Sequence, residues 1–121
     1  SQGDSYDIGF TRAAEVDIQM QVDLVVNEAF SDNNRAELIA ALIKYVGGEN
    51  SDGAEYEGLG IGSNVVYSYC LAFAQLGTAN VKSATVHLCV KGGTLAQSDI
   101  PITSKQIARM RYTDLVVNQS V

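Results

Sequence analysis

The chain of 121 residues has no tryptophan, a single proline, one histidine and two cysteines. Each scarcity excludes something. A lone histidine, His87, cannot supply the clustered ligands of a zinc site, and Cys89 at i+2 does not complete one. Cys70 and Cys89 are too few for the disulfide framework of a small secreted scaffold. Cys70 lies in a helix-like stretch and Cys89 in a strand-like one, so both read as buried free thiols. No apolar run approaches the ~20 residues that a membrane-spanning helix needs, and no signal-peptide pattern is visible. Basic residues are also few: eight Lys and Arg stand against fourteen Asp and Glu, a formal net charge of −6. Phosphate contacts need a basic face and none is visible, which argues against nucleic acid and anionic membrane surfaces as partners. The acidity is spread out and argues mainly for solubility.

What is present suits one globular domain. The apolar fraction is 46% and eleven glycines punctuate the chain. At this length a core forms without metal or disulfide staples. Residues 1–12 are polar and lack periodicity, the pattern of a flexible linker or arm, which leaves 13–121 as a single domain. The first residues, Ser1-Gln2-Gly3, carry no initiator methionine, and the expectation from this is a piece excised from a longer protein.

From Val16 the pattern sharpens. Val16, Ile18, Met20, Val22, Leu24 and Val26 alternate with Asp17, Gln19, Gln21 and Asp23. This is the period of a long strand with one wet face. The segment 27–34 breaks it with Asn, Asp and Ser. Asn34 and Glu37 have capping-box spacing, and Leu38, Ile39, Leu42, Ile43, Tyr45 and Val46 form a helical stripe that ends at Gly47-Gly48. Residues 47–58 read as a polar loop. A second helix follows, with Ser63 or Asn64 as its cap, Val66, Cys70, Phe73 and Ala74 on one face, and Gly77 at its end. Residues 81–91 return to period 2, with Ala84, Val86, Leu88 and Val90 inward and Ser83, Thr85, His87 and Cys89 outward. Asp99-Ile100-Pro101-Ile102 reads as a short edge segment, because proline cannot donate to a central ladder. Thr103 or Ser104 then caps one or two helical turns through Met110, and Thr113–Asn118 gives a last strand. The order predicts an α+β two-layer sandwich: a small, mainly antiparallel sheet packed by two main helices, with a short third helix.

Candidate chemistry is thin. Gly58-Leu59-Gly60-Ile61-Gly62-Ser63 precedes a helix and has the outline of an anion-binding glycine loop, since free N–H groups at a helix start attract phosphate. No lysine follows as in a P-loop, and the residues before it are acidic rather than those of a buried strand. Its default reading is a tight turn. Asp52, Glu55 and Glu57 lack the ligand array of a calcium loop and read as a solvated acidic stretch. His87 reads as a partly exposed strand residue. Neither a GxSxG elbow nor a reactive-cysteine signature occurs. The residues therefore predict no enzyme, with no catalytic, cofactor-binding or metal position and no cofactor.

The order VDIQMQVDLVV, ELIAALIKYV, GLGIGSNVVYSYCLAFAQLGTANVKSATVHL and SDIPITSKQIARMRYTDLVV resembles the C-terminal region of the baseplate J-like proteins. These are wedge components in the baseplates of contractile-tailed phages and related injection machines. Gly60 and Gly62 before a helix, Gly77 before Val81 and a strand, and Asp99-Ile100-Pro101-Ile102 followed by Gln106-Ile107-Ala108 carry the likeness. It spans most of residues 10–118. Thr78-Ala79-Asn80 departs from the family pattern, which runs directly from Gly to Val, and the 47–58 loop is longer and more acidic. The resemblance implies a structural part of a phage or prophage virion tail baseplate, assembled in the bacterial host cytoplasm. It implies other baseplate and tail proteins as partners, together with further copies of itself in a ring. The residues alone also leave open a small acidic ligand-binding or regulatory module, with an anion site at the glycine-rich lead-in to the second helix. The polar face Asp17, Gln19, Gln21 and Asp23 is either solvent-facing or an interface.

Overall fold

A computed structural model describes residues 13–77 and 79–121. The arm expected at 1–12 lies outside them, as does Thr78 in the Gly77–Val81 motif.

The alternating segment forms strand β1 (Ala14–Val26). Ile18, Met20, Val22, Leu24 and Val26 are all buried on one side of it, as a period of two requires. β1 is the central strand. Along one edge it pairs antiparallel with β4 (Val81–Val90), from Ile18 opposite Val90 to Val26 opposite Val81, with a register slip between Val25 and Val26. Its other edge is shared by two strands that run parallel to it. β5 (Gln106–Arg109) covers Ala14–Asp17, and β6 (Leu115–Ser120) covers Met20–Val25. The sheet is therefore mixed, with the expected antiparallel pairing on one side of β1 only.

Two helices cover one face. α1 (Asp32–Val46) buries Leu38, Leu42, Ile43 and Val46, and α2 (Tyr67–Leu76) buries Cys70 and Ala74. Their apolar stripes and the inner face of the sheet make one core, completed by Val86, Leu88, Ala108, Met110, Leu115 and Val117. No element among the described residues covers the other face of the sheet. The architecture is a two-layer α+β fold.

Several local expectations shift. The cap of α1 is Ser31 rather than Asn34: the Ser31 side chain accepts from the Asn34 N–H, and the Asn34 side chain accepts from the Ser31 N–H, at 3.2 and 3.0 Å. The i,i+3 spacing that suggested Asn34 and Glu37 occurs one turn earlier as well, and the earlier pair satisfies the first N–H groups of a longer helix. The 47–58 loop contains a small hairpin of β2 (Gly48–Glu49) and β3 (Glu55–Tyr56). α2 begins at Tyr67, beyond both Ser63 and Asn64.

The helical turn expected at 103–110 is instead a turn and then β5. Gln106 donates its N–H to the Thr103 carbonyl while its side chain accepts from the Thr103 N–H. This capping-like spacing closes a turn, and the following residues fill the open edge of β1, whose backbone groups would otherwise lack partners. The only helical turn near this place is the 3-10 turn Tyr112–Asp114, so the last strand starts at Leu115 rather than Thr113. At the far end of β4 the alternation also fails. Val90 is 47% exposed and Cys89 is buried, where the chain turns back over Cys89 at Gly93.

Candidate functional site

The glycine-rich segment is a crossing between chain segments. Gly58 and Gly62 take the left-handed φ values of 62° and 76°. A Cβ on Gly58 would stand 2.2 Å from the Gly47 nitrogen, so only glycine lets the two backbones meet. The Gly62 N–H donates to the Gln106 carbonyl at 2.8 Å, and Ile61 bridges Ile107. Val65 and Ile100 exchange both backbone hydrogen bonds, and the Asn64 side chain accepts from the Ile102 N–H at 2.8 Å. The edge segment expected at 99–102 is therefore real, and its partner is residues 64–65.

The first N–H groups of α2 are already in use. Tyr67 N–H donates to the Asp99 carboxylate at 2.8 Å, and Val66 N–H donates to the Tyr45 hydroxyl at 3.1 Å. A carboxylate 32 residues away thus takes the role that a local Ser or Asn was expected to fill. It satisfies an orphan donor and sits favourably at the positive end of the helix dipole. Burial raises the Tyr45 hydroxyl pKa above its ordinary value. The Asp99 carboxylate therefore stands at the helix start, where an anion would bind.

His87 stands on the uncovered sheet face opposite Gln21 and half exposed. Beside it, Asp23 accepts from the side chains of Asn118 at 3.0 Å and Gln21 at 3.1 Å. These donors, with a smaller contribution from His87, hold the Asp23 carboxyl below its usual pKa. This face is a polar lattice of Asp17, Gln19, Gln21, Asp23, Ser83, Thr85 and Asn118, with Val25 and Val116 as its exposed apolar members. Cys89 lies on it with Sγ 4.0 Å from Gln19 Oε1. Both cysteines are free and buried. Desolvation pushes the Cys70 thiol up to about 12.

The acidic loop residues point to separate tasks. Asp52 closes the β2–β3 turn by accepting from Ala54 N–H at 2.9 Å. Glu55 opposes Glu49 across the hairpin, and the Glu57 carbonyl accepts from Arg109 at 2.9 Å. No group of three or more His, Cys, Asp or Glu able to hold a metal ion occurs among the described residues. None of their helices is long and apolar enough to cross a membrane.

No family model and no curated protein matches the chain. Its surface is therefore the guide to what it does.

Two surface features escaped the sequence reading. The first is a cleft of about 230 Å³ lined by Glu15, Asp17, Glu49, Glu55, Arg109 and Arg111. Four carboxylates and two guanidinium groups share it, so negative charge is in excess, and they come from four segments that no local motif links. The second is an apolar groove of about 420 Å³ between the helices, lined by Tyr45, Tyr69, Ala72, Phe73, Leu76 and Gly77. The Tyr45 ring packs edge-on to Tyr69 at 6.0 Å and tilted against Phe73 at 5.4 Å. Leu76 is 84% exposed and Tyr69 58% exposed. The spacing 69, 72, 76 is visible in the sequence as a second helical stripe beside the one that faces the core, with the half-buried Phe73 between the two.

Proposed function

We propose that the chain is a structural domain of a contractile phage-tail baseplate, a wedge-protein domain that works by protein–protein assembly without catalysis. It acts within the virion tail, assembled in the host cytoplasm, beside other baseplate proteins and further copies of itself. The observation that carries this reading is the pairing of the segments that hold the family resemblance. Gly60–Val65 and Asp99–Ala108 are distant in sequence, yet Ile61 meets Ile107, Gly62 meets Gln106, and Val65 meets Ile100. Short motifs that bind one another form a single structural unit rather than scattered coincidences. An uncovered sheet face and an apolar helix groove supply surface for assembly.

The reading predicts a phenotype. In a lysogen that encodes the chain, deleting its coding region should give induced lysates with tail parts but no assembled baseplates in electron micrographs, and no infectious particles. Intact, infectious tails from the deletion strain would sink it. The ligand-module reading has no observation in its favour, because Asp99 already holds the helix start where an anion would sit. A thermal-shift screen against nucleotides and phosphorylated metabolites should accordingly show no stabilisation.

A further inference from the structure

β4 pairs with β1 only as far as Ile18. The first four residues of β1, Ala14–Asp17, therefore have β5 along one edge and no strand along the other among the described residues. The Ala14 N–H donates to the Lys105 carbonyl on the β5 side. The alternation of a strand then turns the Glu15 N–H and C=O toward the open edge. There the Asp17 carbonyl accepts from the Lys91 N–H at 2.9 Å. The Glu15 N–H, the Glu15 C=O and the Asp17 N–H have no partner among the described residues.

Beside this edge opens a cavity of about 450 Å³, whose lining includes Glu15, Val16, Asp17, Val90, Lys91 and Pro101. Val90 and Pro101 are exposed and Val16 is half-buried, so apolar surface lies open next to unpaired backbone. Glu15 and Asp17 also line the charged cleft, and the cleft and the cavity meet along them.

We propose that this edge is a strand-addition site, where an extended segment of a different protein pairs with Glu15 and Asp17 in line with β4. The segment carries an apolar, a basic and an apolar residue in succession. Unpaired strand N–H and C=O groups call for an extended backbone, since a helix has spent its own groups along its axis. The residue opposite Glu15 exchanges hydrogen bonds with it and places its side chain on the face of Glu15 and Asp17. Carboxylates outnumber guanidinium groups there by four to two, which favours Lys or Arg as the cross-strand partner. The residues before and after it point to the other face, toward Val16, Val90 and the cavity, and are apolar for that reason. The same edge of a second copy does not fit. It would set Glu15 and Asp17 against their own counterparts, and like charges directly opposite destabilise a sheet.

The contact is small. A few main-chain hydrogen bonds and two apolar side chains fall well below the ~800 Å² per partner of a standard interface. An isolated segment therefore binds with a dissociation constant on the order of hundreds of micromolar. The inference does not rest on the baseplate reading, because backbone and charge define the site. Its failure would leave the deletion phenotype above untouched.

The probe is the peptide acetyl-Thr-Val-Lys-Val-Thr-amide, titrated to about 2 mM into the isotope-labelled chain and followed by NMR. Shifts should gather at Glu15, Val16, Asp17, Val90 and Lys91, and hydrogen exchange of the Glu15 amide should slow. The peptide with glutamate in place of lysine should bind about tenfold more weakly. Glu15→Lys combined with Asp17→Lys changes exposed positions, should leave circular dichroism unaltered, and should reverse that order. Methylating the lysine amide nitrogen removes the donor that meets the Glu15 carbonyl and should abolish binding. No shifts at about 2 mM, or shifts centred elsewhere, would overturn the proposal. Equal binding of the lysine and glutamate peptides, or undiminished binding of the methylated one, would do so too. So would a Glu15 amide already protected in the free chain, because the edge would then be in use.

Discussion

Cys70 is fully buried under α2, and desolvation raises its thiol to about 12. The thiolate is the reactive species, so thiol reagents at pH 8 should not label Cys70 until the protein unfolds. Mass spectrometry of native and denatured samples checks this. The same shift has a consequence for stability. Above pH ~9 the unfolded chain releases the Cys70 proton and the folded chain does not. The stabilisation is full below that pH and is lost as pH rises toward 12. Urea midpoints should therefore fall progressively over this range, and Cys70→Ala, whatever its cavity cost, should show a flatter alkaline limb.

Asn80 is the other informative residue. It has a left-handed φ of 70°, a conformation that asparagine tolerates better than alanine. Its side chain accepts from Asn27 at 3.2 Å and donates to Asn34 at 3.1 Å and to the Ala29 carbonyl at 3.3 Å. It clasps the end of β1, the start of α1 and the start of β4. Asn80→Ala should cost about 2 kcal/mol, from strain plus lost hydrogen bonds. Asn80→Gly should cost less, because it relieves the strain alone. Chemical denaturation of both variants separates the two contributions.

At the scale of elements, the hairpin after α1 shows how much depends on one backbone approach. A Cβ on Gly48, at φ +150°, would stand 1.9 Å from the Met110 carbonyl oxygen. Gly47 also receives the Met110 N–H at its carbonyl, at 2.7 Å. Gly48→Ala should thus drive the hairpin away from β5 and cost at least about 3 kcal/mol. Gly53 has φ +85° but nothing within 4 Å of an added Cβ. Gly53→Ala should cost only about 1 kcal/mol, the penalty of the left-handed conformation. Comparable melting temperatures for the two variants would contradict this. Helix α2 makes a related point from the other side. It lacks a side-chain cap of its own and takes one from Asp99, so its start depends on the docking of a distant segment.

At the scale of the whole molecule, β1 holds the sheet together because every other strand of the sheet pairs with it. The chain passes from β5 to β6 along the same edge. It advances six residues from Arg109 to Leu115 while β1 advances three from Asp17 to Met20. The 3-10 turn at Tyr112–Asp114 takes up the excess, and Asp114 reaches Lys91 of the opposite edge in an ion pair at 3.1 Å. That exposed pair contributes little. The strand after it contributes much more, because β6 buries Leu115 and Val117 and satisfies the backbone of Met20–Val25. Removing residues 115–121 should therefore abolish cooperative unfolding and expose the edge of β1 to aggregation. A soluble truncated chain with a native-like thermal transition would refute that ranking of strands.

The sequence by itself determined the periodic elements: β1, most of β4, the stripe of α1, the glycine stops and the proline-bearing edge segment. These rest on spacing along one segment, where the apolar face must point inward whatever else the chain does. Tertiary structure decided the rest. Residues 106–109 became a strand because β1 had an unpaired edge, and the direction of that pairing cannot be read from a short, weakly periodic segment. The cap of α2 came from Asp99 because hydrogen-bond partners are chosen by proximity in space. The exposed stripe on α2 was present in the sequence from the start. Only the packing of the adjacent stripe against the sheet showed which side was left over.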